Sequence, residues 1–297
     1  MSSTNLISII MPSFNQMEYI TESITSVLEQ DYCDVELIVA DGGSDDGTID
    51  VLHEISEKDF RLKWSSEKDS GPAEALNKAL EQSKGLIIGW LNSDDLYAES
   101  AIKRAIQAFN NHPEWIMLYG NAAHIDEKGE FINEYPTLPP EEAYAQFKNG
   151  CFICQPTVFF KRTMYQLIGP LNQDFKAAFD FEYWLRAFNL FENKIGFIDE
   201  LQAYSRLHNE CITQKHRERV AIEGVKAVSN YYGKAPIHWI ATYVEECVES
   251  ISRKGTDENL IEHLLEVILA VDGLVEADDL CQLKTQILQS KVFERAR

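Results

Sequence analysis

The chain has 297 residues, 45% of them hydrophobic, and a formal net charge of −21. That supplies core material for one large domain or two small ones. The acidity is spread along the chain, which argues against nucleic acid or an anionic membrane surface as a partner, since both demand basic patches. Residues 1–5 lack the basic and apolar run of a secretory signal, and no apolar run approaches the ~20 residues of a membrane span. The six cysteines include one Cys-x-x-Cys pair, Cys151 and Cys154, with no second pair to complete a zinc site, and read as reduced thiols. A cytoplasmic protein is the expectation.

Residues 6–11 (Leu-Ile-Ser-Ile-Ile-Met) read as a buried strand stopped by Pro12, followed by a helix with Ile20, Ile24, Val27 and Leu28 on one face. A second strand, 35–40, runs into an Asp- and Gly-rich loop from Asp41 to Thr48 with helix-start chemistry, and a helix follows over 49–55. Next come a short strand at 60–64, a helix over 71–82, a strand at 86–91 and a helix over 98–109. This alternation predicts an α/β fold with a mostly parallel sheet flanked by helices. From Trp115 the pattern changes: strands at 115–125 and 130–135 are joined by the hairpin signal Glu127-Lys128-Gly129. Then come a loop at 137–140, a short strand at 157–160, a helix over 181–189, and two edge strands at 195–198 and 201–205. Beyond about Lys215 the pattern is helical. One apolar stripe runs through Leu260, Leu264, Val267, Ile268 and Val271 and another through Leu280, Leu283, Ile287 and Leu288, with a turn at Lys254-Gly255-Thr256-Asp257. These readings place a domain boundary at 220/221.

Four polar loops follow the early strands: Pro12-Ser13-Phe14-Asn15, the loop opened by Asp41, Glu67-Lys68-Asp69-Ser70-Gly71, and Asn92-Ser93-Asp94-Asp95. Parallel strands bring all four to one sheet edge, where ligands of open α/β sheets bind. An apolar strand that ends in paired carboxylates can present a divalent cation, and oxygen ligands favour Mg²⁺ or Mn²⁺ over zinc. Each loop alone is also an ordinary helix cap or turn.

The blocks in this order resemble a family 2 glycosyltransferase of the GT-A fold over residues 6–212. Those blocks are Ser8 to Asn15, Ile38 to Thr48, Ser66 to Asn77, Trp90 to Asp95, and Phe179-Asp180-Phe181-Glu182-Tyr183-Trp184-Leu185-Arg186. The resemblance implies a GT-A domain over 1–220 with a helical extension over 221–297. It implies an inverting transfer of sugar from a nucleotide-diphosphate donor, most simply a UDP-sugar, to an acceptor hydroxyl in bacterial surface polysaccharide or glycoconjugate synthesis. The acceptor would be saccharide, lipid-linked or protein-linked. Asp94, Asp95 and His208 are then the expected metal ligands, with Mn²⁺ or Mg²⁺ as cofactor. Pro12, Ser13, Asn15, Asp41, Asp69, Asn92, Asp94 and Arg206 are the expected donor-binding residues, Asp41 facing the base. Asp180 is the expected general base, with Glu182 as fallback.

The chemistry is consistent with that set: two carboxylates ~4 Å from a diphosphate repel it by about 1 kcal/mol per charge pair even in water, and a divalent cation reverses the sign. Three positions depart from the family pattern, Gly42, Asn92 and Phe179, each where a carboxylate is usual. The division of labour among Asn92, Asp94 and Asp95 therefore stays open. Gln155 is a further candidate to meet a sugar, Trp184 to stack on a sugar ring or to sit in a core stripe with Phe181 and Leu185, and Asn77 to contact the donor or pack the sheet edge. A Rossmann dehydrogenase would need Gly-x-Gly-x-x-Gly after the first strand, and a nucleotidylyltransferase a Gly-rich loop with Arg; neither is present. The alternative is a glycosyltransferase-like module that binds a nucleotide or partner without turnover. The C-terminal stripes would pack on the transferase domain, pair two copies, or dock on a membrane-bound assembly.

Overall fold

The computed structural model describes residues 6–254 and 258–289, with the backbone alone at 250–254, 258–261, 286, 288 and 289. The chain opens with β1 (Ile7–Ser13), α1 (Ile20–Leu28), β2 (Val35–Asp41), α2 (Thr48–Lys58), β3 (Leu62–Ser66), α3 (Pro72–Gln82) and β4 (Ile87–Trp90). β1 pairs in parallel with β2 and β4, and β2 with β3. β1 and β2 are buried along their whole length, as near-continuous apolar strands covered on both faces must be.

Pro12 does not stop β1, which continues to Ser13 in register with Asp41. Ile10 O accepts from Leu91 N and Ser13 O from Gly42 N. Even positions of β1 therefore look toward β4, and β4 has ended by the time Pro12 is reached, so its missing N–H costs no ladder bond. The third strand starts two residues later than expected, leaving Phe60 89% exposed in the preceding turn.

The second half comprises β5 (Leu96–Tyr97), α4 (Ala101–Asn111), β6 (Met117–Ile125), β7 (Phe131–Glu134), α5 (Pro140–Gln146), a 3₁₀ turn (Gln155–Thr157), β8 (Phe159–Lys161), α6 (Arg162–Ile168), α7 (Phe179–Phe191) and β9 (Ile195–Arg206). Among the described residues the strands form one sheet in the order β3-β2-β1-β4-β8-β6-β9-β5, with β7 paired to β6. The hairpin expected at 127–129 is present: Asp126 N donates to Glu130 O and Gly129 N to Asp126 O. Gly129 takes φ +83° there, a conformation that glycine adopts without penalty. The two edge strands expected at 195–198 and 201–205 are instead one interior strand, β9, lying between β6 and β5, with register shifts opposite Gly120, Asn121 and Ala122. The chain reverses direction across the sheet between β1 and β4, and the crevice at the carboxyl ends of such strands is where α/β sheets bind ligands.

The chain divides into two compact units. One holds the chain up to Tyr144 together with Phe152–Cys211; the other holds Ala145–Cys151 and the chain from Ile212 onward, so the division falls before residue 220. The second unit contains α8 (Ile212–Lys215), α9 (Arg217–Tyr232), α10 (His238–Lys254), α11 (Glu258–Ala270) and α12 (Ala277–Gln289). Within it, Trp239 Nε1 donates to Lys148 O at 2.8 Å and His238 Nε2 lies 2.9 Å from Asn149 O, which ties the 145–151 segment to α10. Leu264, Val267, Ile268 and Val271 are buried, as are Leu280, Leu283 and Ile287. The side chains of Leu260 and Leu288, and residues 255–257 of the expected turn, lie outside the described residues. Among the described residues no helix is long and apolar enough to cross a membrane.

Candidate active site

The 92–95 turn follows β4, and the strand after it, β5, immediately pairs antiparallel with β9, Leu96 opposite Tyr204. That pairing lays the turn against the carboxyl end of β9. Asp95 turns inward: it is buried, and its carboxylate accepts from Arg206 N at 2.9 Å and Asn92 Nδ2 at 3.1 Å. Burial first, and the neighbouring Asp94 second, push its carboxyl well above the usual carboxylate range. Asp94 turns the other way. Its side chain is 15% exposed, and its Oδ2 lies 3.0 Å from His208 Nε2. The His208 ring is held by Tyr19, with ring centroids 4.8 Å apart.

Behind the turn, Trp90 organises its surroundings. Its indole N–H donates to Asn92 Oδ1 at 3.1 Å, its carbonyl accepts from Gln155 Nε2 at 2.8 Å, and its ring stacks on Phe179 at 5.5 Å. Phe179 opens α7, so the next residue, Asp180, sits in the first helical turn, partly exposed, with Oδ1 accepting from Phe181 N at 2.7 Å. A carboxylate there is favoured by the helix dipole.

At the other end of the same edge, Asp41 is buried beneath its own loop. Oδ2 accepts from Gly43 N, Ser44 N and Ser66 Oγ at 3.0, 2.9 and 2.6 Å, and Oδ1 accepts from Ser44 Oγ. Asn15, at φ 53°, braces the loop from outside: its N donates to Ser44 Oγ and its Oδ1 accepts from Asp45 N. Asp69 is more open. Its Oδ1 accepts from Gly71 N at 2.8 Å, and burial holds its carboxyl above the usual range despite that bond. A Cβ added at Gly42 would lie 3.0 Å from Asp69 Oδ2 and 3.3 Å from the exposed Phe14 ring. The missing side chain therefore leaves a narrow gap between an aromatic ring and a carboxylate. Ser13 Oγ, at the tip of β1, is buried with no hydrogen-bond partner.

Residues 8–169 match the family described as glycosyl transferase family 2. The chain belongs to that family. It is 33% identical over 65% of its length to an Escherichia coli UDP-Glc:alpha-D-GlcNAc-diphosphoundecaprenol beta-1,3-glucosyltransferase, WfgD, and covers 73% of that protein. It is 28% identical over 61% of its length to E. coli chondroitin synthase, covering 26% of it. An uncharacterized glycosyltransferase of Rickettsia conorii matches at 26% identity over 82% of this chain, which spans only 39% of that relative. Among solved structures, Staphylococcus aureus TarS in complex with UDP-GlcNAc superposes with a TM-score of 0.64 at 18% identity, covering 91% of this chain and 81% of that one. The Pyrobaculum calidifontis mannosyltransferase PcManGT with GDP-Man and Mn²⁺ gives 0.58 at 18% identity, covering 96% and 80%. The fold is the GT-A fold.

Set on this family 2 framework, the expected site residues separate into those at the opening and those behind it. Asp94, Asp69 and Asp180 keep some exposure, while His208, itself buried, meets Asp94 from beneath the opening. Asp95 does not join Asp94 and His208; among the described residues no three His, Cys, Asp or Glu side chains converge as a metal cluster. Asp94 and His208 nevertheless fit a hard cation, because Mg²⁺ and Mn²⁺ sites often use one or two protein ligands and complete the shell with substrate phosphates and water.

Arg206 is not placed as a diphosphate ligand. Its side chain is 1% exposed and each guanidinium nitrogen is engaged inside the protein. Glu182 is paired with Arg186 at 2.9 Å, and burial raises its carboxyl despite that partner, so it is no second base. Trp184 lies wholly in the core and cannot stack on a sugar at the surface, and Gln155 is buried against Trp90. Asn77 forms a two-way bridge with the backbone of Leu171, at 2.9 Å each way. Tyr19 and Glu22 brace His208 and Arg206; both sit in or next to an amphipathic helix, where nothing in the spacing marks them.

Proposed function

We propose that this chain transfers a sugar from a nucleotide-diphosphate donor to an acceptor hydroxyl, with inversion at the anomeric carbon. The observation that carries the reading is the Asp94–His208 pair at the end of β4, 3.0 Å apart. The Trp90–Phe179 stack links its turn to a helix that opens on a partly exposed carboxylate. The nucleobase enters the gap beside Gly42, against Phe14, with Asp69 at its edge. A carboxylate accepts the imide N–H of uracil, and UDP donors are named for WfgD and for TarS. Asp41 shapes the loop beneath rather than meeting the base itself. Asp94 and His208 would hold Mn²⁺ or Mg²⁺, which when bound offsets the charge of the diphosphate.

Asp180 accepts the proton of the acceptor hydroxyl as that oxygen forms its bond to C1. The bond from C1 to the diphosphate oxygen breaks, and its electron pair leaves with the nucleoside diphosphate. The acceptor is a lipid-linked or other saccharide hydroxyl, in line with the diphosphoundecaprenol acceptor in the name of WfgD, and the product belongs to surface polysaccharide or glycoconjugate synthesis. The test is a titration of UDP-, GDP-, dTDP- and CMP-sugars in Mn²⁺, Mg²⁺ or EDTA, repeated with Asp180→Asn. UDP-sugars should bind only with metal, and the variant should keep that binding while losing transfer by about 10²–10⁴-fold. Absence of metal-dependent binding for all four donors would overturn the reading, and transfer at the normal rate in the variant would remove Asp180 as base.

A further inference from the structure

We propose that Arg206 is a positioning residue: from inside the protein it sets the turn that presents Asp94 to His208, and with the same guanidinium it fastens the β6–β7 hairpin to that turn. The role of Asp94 and His208 as metal ligands is taken from the function proposed above; the clamp itself rests on geometry.

Three elements converge on this one residue: the 92–95 turn, the β6–β7 hairpin and the start of α1. The backbone N of Arg206 donates to Asp95 Oδ1 at 2.9 Å, and Nε donates to Asp94 O at 2.9 Å. Nη1 reaches Asp126 O and Glu127 O at 3.3 Å each, in the tip of the β6–β7 hairpin. Nη2 pairs with Glu22 Oε2 of α1 at 2.6 Å. The guanidinium carbon lies 4.9 Å from the centroid of the Tyr19 ring, whose own centroid is 4.8 Å from that of His208. Tyr19 is thus wedged between Arg206 and His208, so the two sides of the Asp94–His208 pair are referenced to the same group. One route runs through the Asp94 carbonyl and the other through the Tyr19 ring.

The residue type matters. A guanidinium presents five donors in a fixed plane, whereas an ammonium is a point charge with three donors on a flexible stem. Only the fork can bind the turn, the hairpin and Glu22 simultaneously. Burial makes the arrangement selective, because an incompletely satisfied buried cation is costly, and the carboxylate that pairs directly with the guanidinium among the described residues, Glu22, is itself 57% exposed. Outer partners that orient metal ligands commonly change metal affinity 10–100-fold when replaced. The hairpin carries no expected ligand, yet it shares two neighbours with the metal turn: the guanidinium and the end of β9. A shift of the turn must therefore be felt at residues 126–129.

The experiment uses the full chain and two variants, Arg206→Lys and Glu22→Gln, with Mn²⁺ alone as probe, read by the electron-paramagnetic signal of free Mn²⁺, and amide hydrogen exchange read by segment. In Arg206→Lys, Mn²⁺ affinity should fall about tenfold or more, and exchange should quicken at 93–96 and 126–129 together while β1 and β2 keep their protection. Glu22→Gln, changed at an exposed side chain, should move the same two segments by less. Unaltered exchange at either segment in Arg206→Lys overturns the proposal. So does a uniform loosening that includes β1 and β2, which would make Arg206 a general stabiliser. A wild-type chain that binds no nucleotide-sugar would sink the transferase reading and leave the clamp to be decided by the exchange pattern.

Discussion

Asn92 stands where the family resemblance leads one to expect a carboxylate, and the structure gives a use for the amide. Its Oδ1 accepts from the Trp90 indole and its Nδ2 donates to the buried Asp95. A carboxylate supplies only the acceptor half, and Asp at 92 would place a second carboxylate 3.1 Å from Asp95. Asn92→Asp is expected to destabilise the chain by about 1–3 kcal/mol, the usual penalty for leaving a buried polar group without its partner. Denaturant unfolding at neutral pH measures this, and a variant as stable as the parent would show that the amide bridge carries no weight. The same residue explains how Asp94 and Asp95 divide their work. Asp95 is retained inside by Asn92 and by the backbone of Arg206, which leaves Asp94 to face His208. Sequence spacing identifies two adjacent carboxylates but not which way each points, because a tight turn sends neighbours in opposite directions.

At the level of elements, the opposite end of the sheet from the site is tied together by Glu36 of β2. Its carboxylate accepts from Ser8 Oγ of β1, Lys63 Nζ of β3 and Lys84 N ahead of β4, each at 2.6 Å. Burial alone would raise its carboxyl, but these three bonds outweigh burial and hold it below the usual range. A carboxyl depressed in the folded state contributes stability above its unfolded value, about 4.3, and loses it as pH falls through the folded value. Glu36→Gln should cost about 1–3 kcal/mol at pH 7, and the gap should close as pH drops below about 4. A gap that stays constant from pH 7 to pH 3 in denaturant unfolding would rule out this linkage.

The strands and helices of this half were legible because each is long and apolar enough to show its period. β5, α5 and α6 were not: β5 has two residues, and α5 and α6 have seven each. In sequence β9 resembles two edge strands because the exposed stretch through Asp199 and Glu200 interrupts its apolar pattern; its continuity is enforced by pairing with β6, which no local signal encodes. For the candidate site, the shared sheet edge could be read from the order of strands and loops, whereas Asp94 and His208 are singled out only by the resemblance to the family. The inward turns of Asp95, Arg206 and Asp41 could not be read, because side-chain direction at a strand end depends on which neighbouring strand has already stopped.

Over the whole molecule the formal charge of −21 acts on any anionic donor before contact is made. The candidate site adds Asp41, Asp69, Asp94 and Asp180 locally, while Arg206 is sealed inside by its own partners. Lys68 packs its stem near Gly43 and Lys176 bonds Ser70 Oγ at 3.2 Å, so basic groups are present at the loops but outnumbered. Electrostatic screening reaches about 30 Å at 0.01 M salt and about 8 Å at 0.15 M. At low salt a nucleotide diphosphate should therefore meet long-range repulsion from the entire surface, and at physiological salt only the field of the site itself. Association of a UDP-sugar, followed by stopped-flow fluorescence at saturating Mn²⁺, should accelerate by up to about tenfold as KCl is raised across that range, the reverse of a steered encounter. Because a bound cation changes the charge of the site and not that of the distant surface, the acceleration should persist with metal present. A rate that falls with added salt would mean that the cation and the flanking lysines govern the approach, and that the overall charge has no part in it.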